Sequence, residues 1–310
     1  MELALISVKQ TITMFLIVFV GILCYRTKLI SKENNKALSA VVLNIVNPAV
    51  IFMSYQVEFE MRLLQGLGIS IGLSALTFAV MILMANILIR KQGNADWNIE
   101  RIALIYSNCG FIGIPMIRAL VGEIGVFYVA SYLTMFNLLL WTHGVMVMTG
   151  KSDIKSVVKA MTSPCVIAVF LGILAFVCRL QLPDMVGNAV SSIADMNTPL
   201  AMLVAGVVIA QTNLPAVLKR VRMYYMCILK LLVIPAVIVL LMLPFAKMGV
   251  DHDILLTVII ATACPTGASG TLFALRYQGN ELYASEIFGT TTLLSLVSIP
   301  LIVMLAGLIL

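Results

Sequence analysis

Two segments of the chain carry small, polar and proline residues where the sequence is otherwise apolar enough to cross a membrane. The first reads IYSNCGFIGIP over residues 105–115, and the second reads IATACPTGASG over residues 260–270. Proline removes a backbone donor, and each glycine costs about 1 kcal/mol in a helix interior relative to alanine. These segments predict two helices that break near mid-membrane, where irregular backbone is tolerated only if protein buries it or water reaches it.

The physics of a broken helix predicts that these segments bind an anion. A half-helix that starts near the midplane presents N–H groups without intrahelical acceptors and about half an elementary positive charge. The side chains of Asn108, Thr266 and Ser269 can add hydrogen bonds without adding formal charge. Such a site favours an anion because its donors already point at the place where the anion would lie.

Three asparagines in other apolar segments are candidates for the same site. Asn47 and Asn197 each lie just before a proline, and each could line a cavity or cap a kinked helix. Asn137 lies in a further apolar segment, where a site role and a structural role are both open. All three would contribute hydrogen-bonding groups without charge.

Ionisable residues are scarce in the apolar segments. Arg118, one turn beyond the proline of the first break, could place positive charge at the outer end of the path or could snorkel at the interface. Asp195 is the candidate for a group that couples transport to a cation, and its alternative is a neutral or interface-facing role. Glu286 is the other carboxylate inside a predicted span. Lys9 and Lys230 are expected to snorkel from the ends of their spans.

The elements that must position these residues are membrane helices. The 310 residues are 61% hydrophobic and 11% charged, whereas a soluble domain carries about 25% charged residues. Apolar runs of about 20 residues recur along the chain, which is the length that crosses about 30 Å of hydrocarbon. The first run has no basic segment or cleavage site and is expected to be an uncleaved helix. We predict ten spans, over residues 3–25, 36–57, 63–90, 101–121, 125–149, 161–179, 185–211, 222–246, 253–276 and 283–309.

Basic residues predict how the spans are oriented. Five alternate loops carry fourteen Lys and Arg residues and the opposite side carries four, so the positive-inside rule places the basic loops in the cytoplasm and both termini outside. We therefore expect a multi-pass protein of the cytoplasmic (inner) membrane. The fourteen are Arg26, Lys28, Lys32, Lys36, Arg90, Lys91, Arg101, Lys151, Lys155, Lys159, Lys219, Arg220, Arg222 and Arg276, and the four are Arg62, Arg118, Arg179 and Lys247.

The ten predicted spans divide into two groups of five that share features in the same order. Five spans per half reverse the side from which the chain enters, so the second half would be an inverted copy of the first, as in many secondary transporters. We predict a first repeat over 1–149, a short cytoplasmic linker over 150–159 and a second repeat over 160–310. The matching features are Pro48 with Pro199, Gly110 and Gly113 with Gly267 and Gly270, Glu123 with Glu281, and Met146 with Met304.

Several classes of function lack support in the sequence. The six cysteines and two histidines show no metal-ligand spacing, and neither a metal nor a cofactor is expected. A glycine-rich phosphate loop with lysine, which would indicate an ATP-driven pump, is absent from the sequence. No nucleophile–base pair indicates an enzyme. The net charge of +6 belongs to the loops, and no nucleic-acid partner is expected.

Four motifs resemble those of the auxin efflux carrier family, in its branch of bacterial permeases. They are LNIVNPAVIF over 43–52, SNCGFIGIPMI over 107–117, MNTPLAMLVAG over 196–206 and ACPTGASGTLFA over 263–274. The similarity extends over the whole chain, and the short stretch between predicted spans five and six is similar to that of the bacterial members. The second break departs from the first, because Cys264 and not an asparagine precedes its proline.

The resemblance implies an all-α fold of ten transmembrane helices in two inverted repeats, as in the superfamily of bile-acid, arsenite and riboflavin transporter-like proteins. Spans one, two, six and seven would form a scaffold that often mediates a homodimer. Spans three to five and eight to ten would form a moving transport domain, in which spans four and nine cross at their breaks. The implied crossover positions are Asn108, Gly110, Pro115, Pro265 and Gly267, with Asn47 and Asn197 beside them.

These observations predict a secondary transporter that moves a small organic anion through the lipid bilayer by elevator-type alternating access. The resemblance implies a carboxylate such as malate, malonate or an auxin-like acid. Direction and coupling are open, and a coupled proton is one possibility. The alternatives are a cation-coupled carrier of the same fold, driven by sodium or protons, and a membrane protein that senses an anion without transporting it.

Overall fold

The computed structural model describes residues 2–151, 158, 161–212, 217 and 219–309, and within these ranges the regular secondary structure is helical apart from an isolated β-bridge. Seven of its helices are long and apolar enough to cross a membrane. The structure therefore agrees with the predicted all-α polytopic membrane protein. The seven are α1 (Leu3–Arg26), α2 (Lys32–Ser54), α3 (Met61–Leu88), α6 (Glu123–Thr149), α8 (Asp184–Gln211), α9 (Val221–Lys247) and α12 (Glu281–Ile309).

Five shorter helices account for the rest of the described core. They are α4 (Trp97–Ile105), α5 (Cys109–Val121), α7 (Pro164–Val177), α10 (His252–Ala263) and α11 (Ser269–Arg276). The pairs α4–α5 and α10–α11 lie where the sequence predicts spans four and nine. The count of ten spans and the inverted repeat stay predictions. Most of the predicted linker, with Lys155 and Lys159, lies outside the described residues.

Helices α1 and α8 pack closely because each presents a glycine to the other. A Cβ atom on Gly206 would overlap the carbonyl oxygen of Val18 and would lie 2.9 Å from the Cα atom of Gly21. A Cβ atom on Gly21 would in turn overlap the carbonyl oxygen of Leu203. In lipid, where apolar side chains gain little from contact with one another, such small residues hold helices together by close backbone packing.

We expect Gly206→Ala to destabilise the protein, because overpacking a well-filled interface costs about 1–3 kcal/mol. The matched control is Gly68→Ala in α3, where an added Cβ atom meets nothing within 4 Å. That change should leave stability equal or raise it by up to about 1 kcal/mol through helix propensity. Thermal unfolding in detergent measures both, and a Gly206→Ala variant that melts with or above the wild type would contradict the packing.

Candidate functional site

The two broken helices meet at their breaks. Helix α4 ends at Ile105 and α5 begins at Cys109, while α10 ends at Ala263 and α11 begins at Ser269. The intervening backbones pair in antiparallel fashion, with Ser107 opposite Thr266. We call this place, residues 106–108 with 264–268, the crossover.

Backbone hydrogen bonds fix the crossover. The Asn108 N–H donates to the carbonyl of Pro265 at 2.7 Å, and the Gly267 N–H donates to the carbonyl of Tyr106 at 2.8 Å. The carbonyl of Asn108 accepts from the N–H groups of Ile112 and Gly113, at 3.0 and 3.3 Å, and so starts α5. The main chain of Asn108 therefore holds the structure together, which leaves its side chain available for another role.

Two side-chain donors, one in the crossover and one next to it, are buried without a partner. Within the described residues, Asn108 Nδ2 and Ser269 Oγ make no hydrogen bond, although Asn108 as a whole is only 6% exposed. A buried polar group without a partner costs about 1–3 kcal/mol, so natural proteins keep few of them. Both residues line a cavity of about 690 Å³, as does Ser163, whose Oγ atom also lacks a partner within the described residues. Asn108 and Ser269 are therefore candidates for binding a ligand.

The wall of the cavity is mostly apolar, with polarity concentrated at the crossover. Its apolar lining comes mainly from α2, α6 and α11, with Phe111 of α5 and Pro164 of α7, and includes Leu43, Leu133, Phe136, Trp141, Leu272 and Phe273. Among the described lining residues, Arg276 is the one with a basic side chain, and Asp and Glu do not occur. The Arg276 guanidinium stacks on Trp141, 5.6 Å from the ring centroid. The charge of the cavity therefore favours an anion.

Helical turns of the π type shape the same region. They occur at Val42–Val46, Cys109–Gly113, Leu140–Gly144 and Leu229–Val233, and the first three contribute residues to the cavity wall. Such turns are rare and are frequent at functional sites. Each inserts a residue into the helix and so rotates the following side chains to another face.

The predicted asparagine pair lies beside the crossover. Asn197 Nδ2 donates to Asn47 Oδ1 at 2.7 Å, and both residues are buried. Asn47 lines the cavity, whereas Asn197 is not among the described residues of its wall. A Cβ atom on Gly110 would approach Asn47 Nδ2 to 2.9 Å, so glycine at this position lets α5 pass close to α2.

The structure thus brings six of the predicted site residues to the cavity wall and places the other six elsewhere. The wall contains Asn47, Asn108, Gly110, Asn137, Gly267 and Ser269. The Asn137 amide is already used within its own helix, because Nδ2 donates to the carbonyl of Leu133 at 2.8 Å. The remaining six are Pro115, Asn197, Pro265, Thr266, Arg118 and Asp195.

The residues outside the cavity wall have structural contacts or lie at the surface. Thr266 Oγ1 donates to the carbonyl of Ala103 at 3.1 Å and its N–H donates to Thr291, so it stabilises the crossover. Arg118 pairs with Glu123 at 2.8 Å. Asp195 is exposed and lies two residues from the buried Asn197.

A buried lysine at the crossover was not predicted from the sequence. Lys230 was expected to snorkel, and this is wrong, because its side chain is 0% exposed in the interior of α9. Its Nζ atom donates to the carbonyl of Leu104 at 3.1 Å and to Ser107 Oγ at 2.6 Å. The π-turn at Leu229–Val233 contains this residue, but such a turn leaves no recognisable trace in the sequence.

Two buried carboxylates have partners that were not predicted from the sequence. Glu100, 1% exposed, accepts two hydrogen bonds from Arg222, at 2.7 and 2.5 Å, and one from Tyr283 at 2.9 Å. Glu286 pairs with Arg220. These ion pairs tie α4 and α12 to the segment that opens α9. Neither carboxylate is among the described residues that line the cavity.

The fold and the site define a helical, multi-pass membrane protein with an anion-compatible cavity at a crossing of two broken helices. A model of the membrane transport protein family matches residues 6–156 and 146–303, and the chain belongs to this family, which agrees with the resemblance to the auxin efflux carriers. Members of the family are transporters rather than enzymes. A search of curated proteins found no match.

Proposed function

We propose that this protein is a secondary transporter that moves a small organic anion, a carboxylate, across the cytoplasmic membrane. The observation that carries the proposal is the pair of unpartnered donors, Asn108 Nδ2 and Ser269 Oγ, at the inner end of the cavity. A carboxylate offers two acceptor oxygens, one for each donor. Hydrogen bonds to a charged group are the strong ones, worth about 1.5–3 kcal/mol each.

Helix ends support the same assignment. Helices α5 and α11 both begin at the crossover, so their first N–H groups and the positive ends of their dipoles lie near the two donors. In this arrangement neutral donors and helix ends would hold the carboxylate, because Lys230 is not among the described residues of the cavity wall. Binding without an ion pair suits a carrier, which must also release its substrate.

The apolar wall indicates what the part of the substrate beyond its carboxylate should be. A cavity of about 690 Å³ falls in the range that holds drug-sized ligands, and its aromatic residues suit the hydrocarbon part of an acid. We therefore expect an aromatic monocarboxylate such as indole-3-acetate to bind more tightly than malate or malonate. A small dicarboxylate would leave the apolar wall in contact with water.

The packing of the helices suggests how the substrate moves. Helix α1 packs most extensively on α8, and α7 packs on α2, which is the set proposed as a scaffold. Helices α3 to α6 and α9 to α12 would carry the crossover as the transport domain. The cavity runs from Asn108 to Arg276 and Thr162, at the ends that the basic loops predict to be cytoplasmic. We infer that the structure is open to the cytoplasm and that a rigid shift of the transport domain exposes the crossover outside.

Two measurements test the proposal together. The first is a thermal-shift panel of indole-3-acetate, malate and malonate with their neutral amides as matched controls, because ligand binding stabilises the folded state by mass action. The second is uptake of the best carboxylate into proteoliposomes. Stabilisation by acids but not amides, with flux above empty vesicles, supports a carrier. Stabilisation without flux identifies the sensor alternative, and no stabilisation by any acid contradicts the anion site.

We expect Arg276→Gln to weaken carboxylate uptake mainly through KM, by about three- to tenfold at low salt, because a positive charge at the mouth raises the local anion concentration. The dependence of uptake on ionic strength should become shallower in the variant. The control is Arg26→Gln, which removes an exposed charge from α1 away from the cavity. An unchanged KM and an unchanged salt dependence in Arg276→Gln would exclude this role.

A further inference from the structure

The buried amine of Lys230 lies between the ends of two half-helices. Its Nζ atom contacts the carbonyl of Leu104, in the last turn of α4. It also donates to Ser107 Oγ, and that hydroxyl donates in turn to the carbonyl of Thr262 at 3.2 Å. Thr262 lies in the last turn of α10. One amine is therefore linked to the carboxyl ends of both half-helices, directly to one and through a hydroxyl to the other.

The electrostatic potential at the carboxyl ends of α4 and α10 favours a cation. Each helix carboxyl end carries about half an elementary negative charge, and two such ends meet at the crossover. Oxygen atoms of this kind, carbonyls and a hydroxyl, are the ligands that hard cations prefer. In transporters with broken helices, unwound carbonyls and half-helix carboxyl ends coordinate the coupling sodium ion or proton.

In this chain a side chain holds that position. Within the described residues Lys230 forms no ion pair with a carboxylate, so its charge is matched by the helix ends. Lys230 is also not among the described residues of the cavity wall. It therefore acts on the site by positioning the crossover and not by touching the substrate.

We propose that the protonated amine of Lys230 is a built-in cation that replaces a coupling sodium ion at the crossover. Carboxylate binding and transport then need no sodium. Removal of the amine should expose the oxygens of Leu104, Ser107 and Thr262 and turn the crossover into a sodium site. The transport part rests on the proposed function, whereas the sodium-binding part depends only on the contacts of Lys230.

The first test uses thermal unfolding without any carboxylate, in sodium chloride and in choline chloride at equal ionic strength. We expect sodium to leave the melting temperature of the wild type unchanged relative to choline. For Lys230→Ala we expect sodium to raise the melting temperature in a saturable way. Lys230→Met, which fills the space with an apolar side chain, should show no shift. Lys9→Ala, which removes an exposed lysine from α1, is the matched control and should behave like the wild type.

Two results would overturn the proposal: a saturable sodium shift in the wild type, or a folded Lys230→Ala variant that sodium does not stabilise. If neither neutral variant folds in either salt, thermal unfolding of the wild type and of Lys230→Arg tests the proposal instead. A wild type that is indifferent to sodium and a folded Lys230→Arg support the built-in cation. A sodium shift in the wild type, or an Lys230→Arg variant that is also unfolded, contradicts it.

The second test measures carboxylate uptake into proteoliposomes. The wild type should transport equally in sodium and choline, whereas Lys230→Ala should be slow in choline and recover at least about fivefold in sodium. Sodium-dependent uptake by the wild type would contradict the proposal. If the wild type transports none of the tested carboxylates, the proposed function fails in that assay, and the unfolding experiment still decides whether Lys230 replaces sodium.

Discussion

Replacement of Asn108 by alanine is expected to reduce carboxylate flux by about ten- to hundredfold, because a hydrogen bond to a charged group contributes about 1.5–3 kcal/mol. The main chain of Asn108 makes the bonds to Pro265, Ile112 and Gly113, and alanine retains them. Its Nδ2 atom has no partner within the described residues. The variant should therefore insert and melt like the wild type while it binds substrate poorly.

The control for this prediction is Asn44→Ala. Asn44 also lines the cavity, but its Nδ2 atom donates to the carbonyl of Ala40 at 2.8 Å within its own helix. Its loss should change uptake by less than about threefold, since no donor to the substrate is removed. Uptake and melting temperature are measured on both variants. Normal uptake by Asn108→Ala would mean that this side chain is structural.

Arg222→Ala is expected to cause the largest loss of stability, about 2–4 kcal/mol. It would leave the Glu100 carboxylate, 1% exposed, without the two hydrogen bonds that Arg222 donates. Tyr283 and Asn94 would still donate to the carboxylate, which limits the cost. Glu100→Gln should cost less, because the Arg222 side chain is already 45% exposed and can turn to water.

A double-mutant cycle measures the coupling free energy between Arg222 and Glu100 separately from the other effects of each substitution. The variant that combines Arg222→Ala with Glu100→Gln should be more stable than Arg222→Ala alone, because it no longer buries an unpaired charge. Thermal unfolding of the four proteins gives the coupling. Additive losses of stability in the two single variants would show that the pair contributes little. Arg26→Ala, which removes an exposed arginine from α1, controls for the loss of a positive charge.

Both breaks could be predicted from the sequence because their causes are local. Proline at 115 and 265 and the glycines around them act on their own turn of helix, so composition alone marks the positions. The long apolar helices follow from hydrocarbon thickness in the same way. The contact between the two breaks is not local, and it was predicted only because the resemblance to the auxin efflux carrier family implies that spans four and nine cross there.

The surroundings of Lys230 could not be predicted, because position along a span gives depth but not direction. A lysine that faces lipid snorkels, and a lysine that faces a crossover stays buried. The π-turn that contains Lys230 further changes which face of α9 it occupies. Glu100 was overlooked for a related reason: its partners Arg222 and Tyr283 are more than 100 residues away.

Proximity in sequence does not place Asp195 at the cavity, and its exposure agrees with the interface-facing role that the sequence left open. Residues two apart on a helix do not face the same direction, and accordingly Asn197 is buried while Asp195 is exposed. Ser269 shows the opposite case, since it opens α11 and lines the cavity. A helix start places its residues at the crossover wherever the break occurs, and so this position was predictable.

The most direct test of the anion site is a cryo-EM structure with the carboxylate that gives the largest thermal shift. We expect its oxygens within about 2.7–3.1 Å of Asn108 Nδ2 and Ser269 Oγ, with its hydrocarbon part against Trp141 and Phe136. A carboxylate bound elsewhere, with both donors still lacking a partner, would contradict the account.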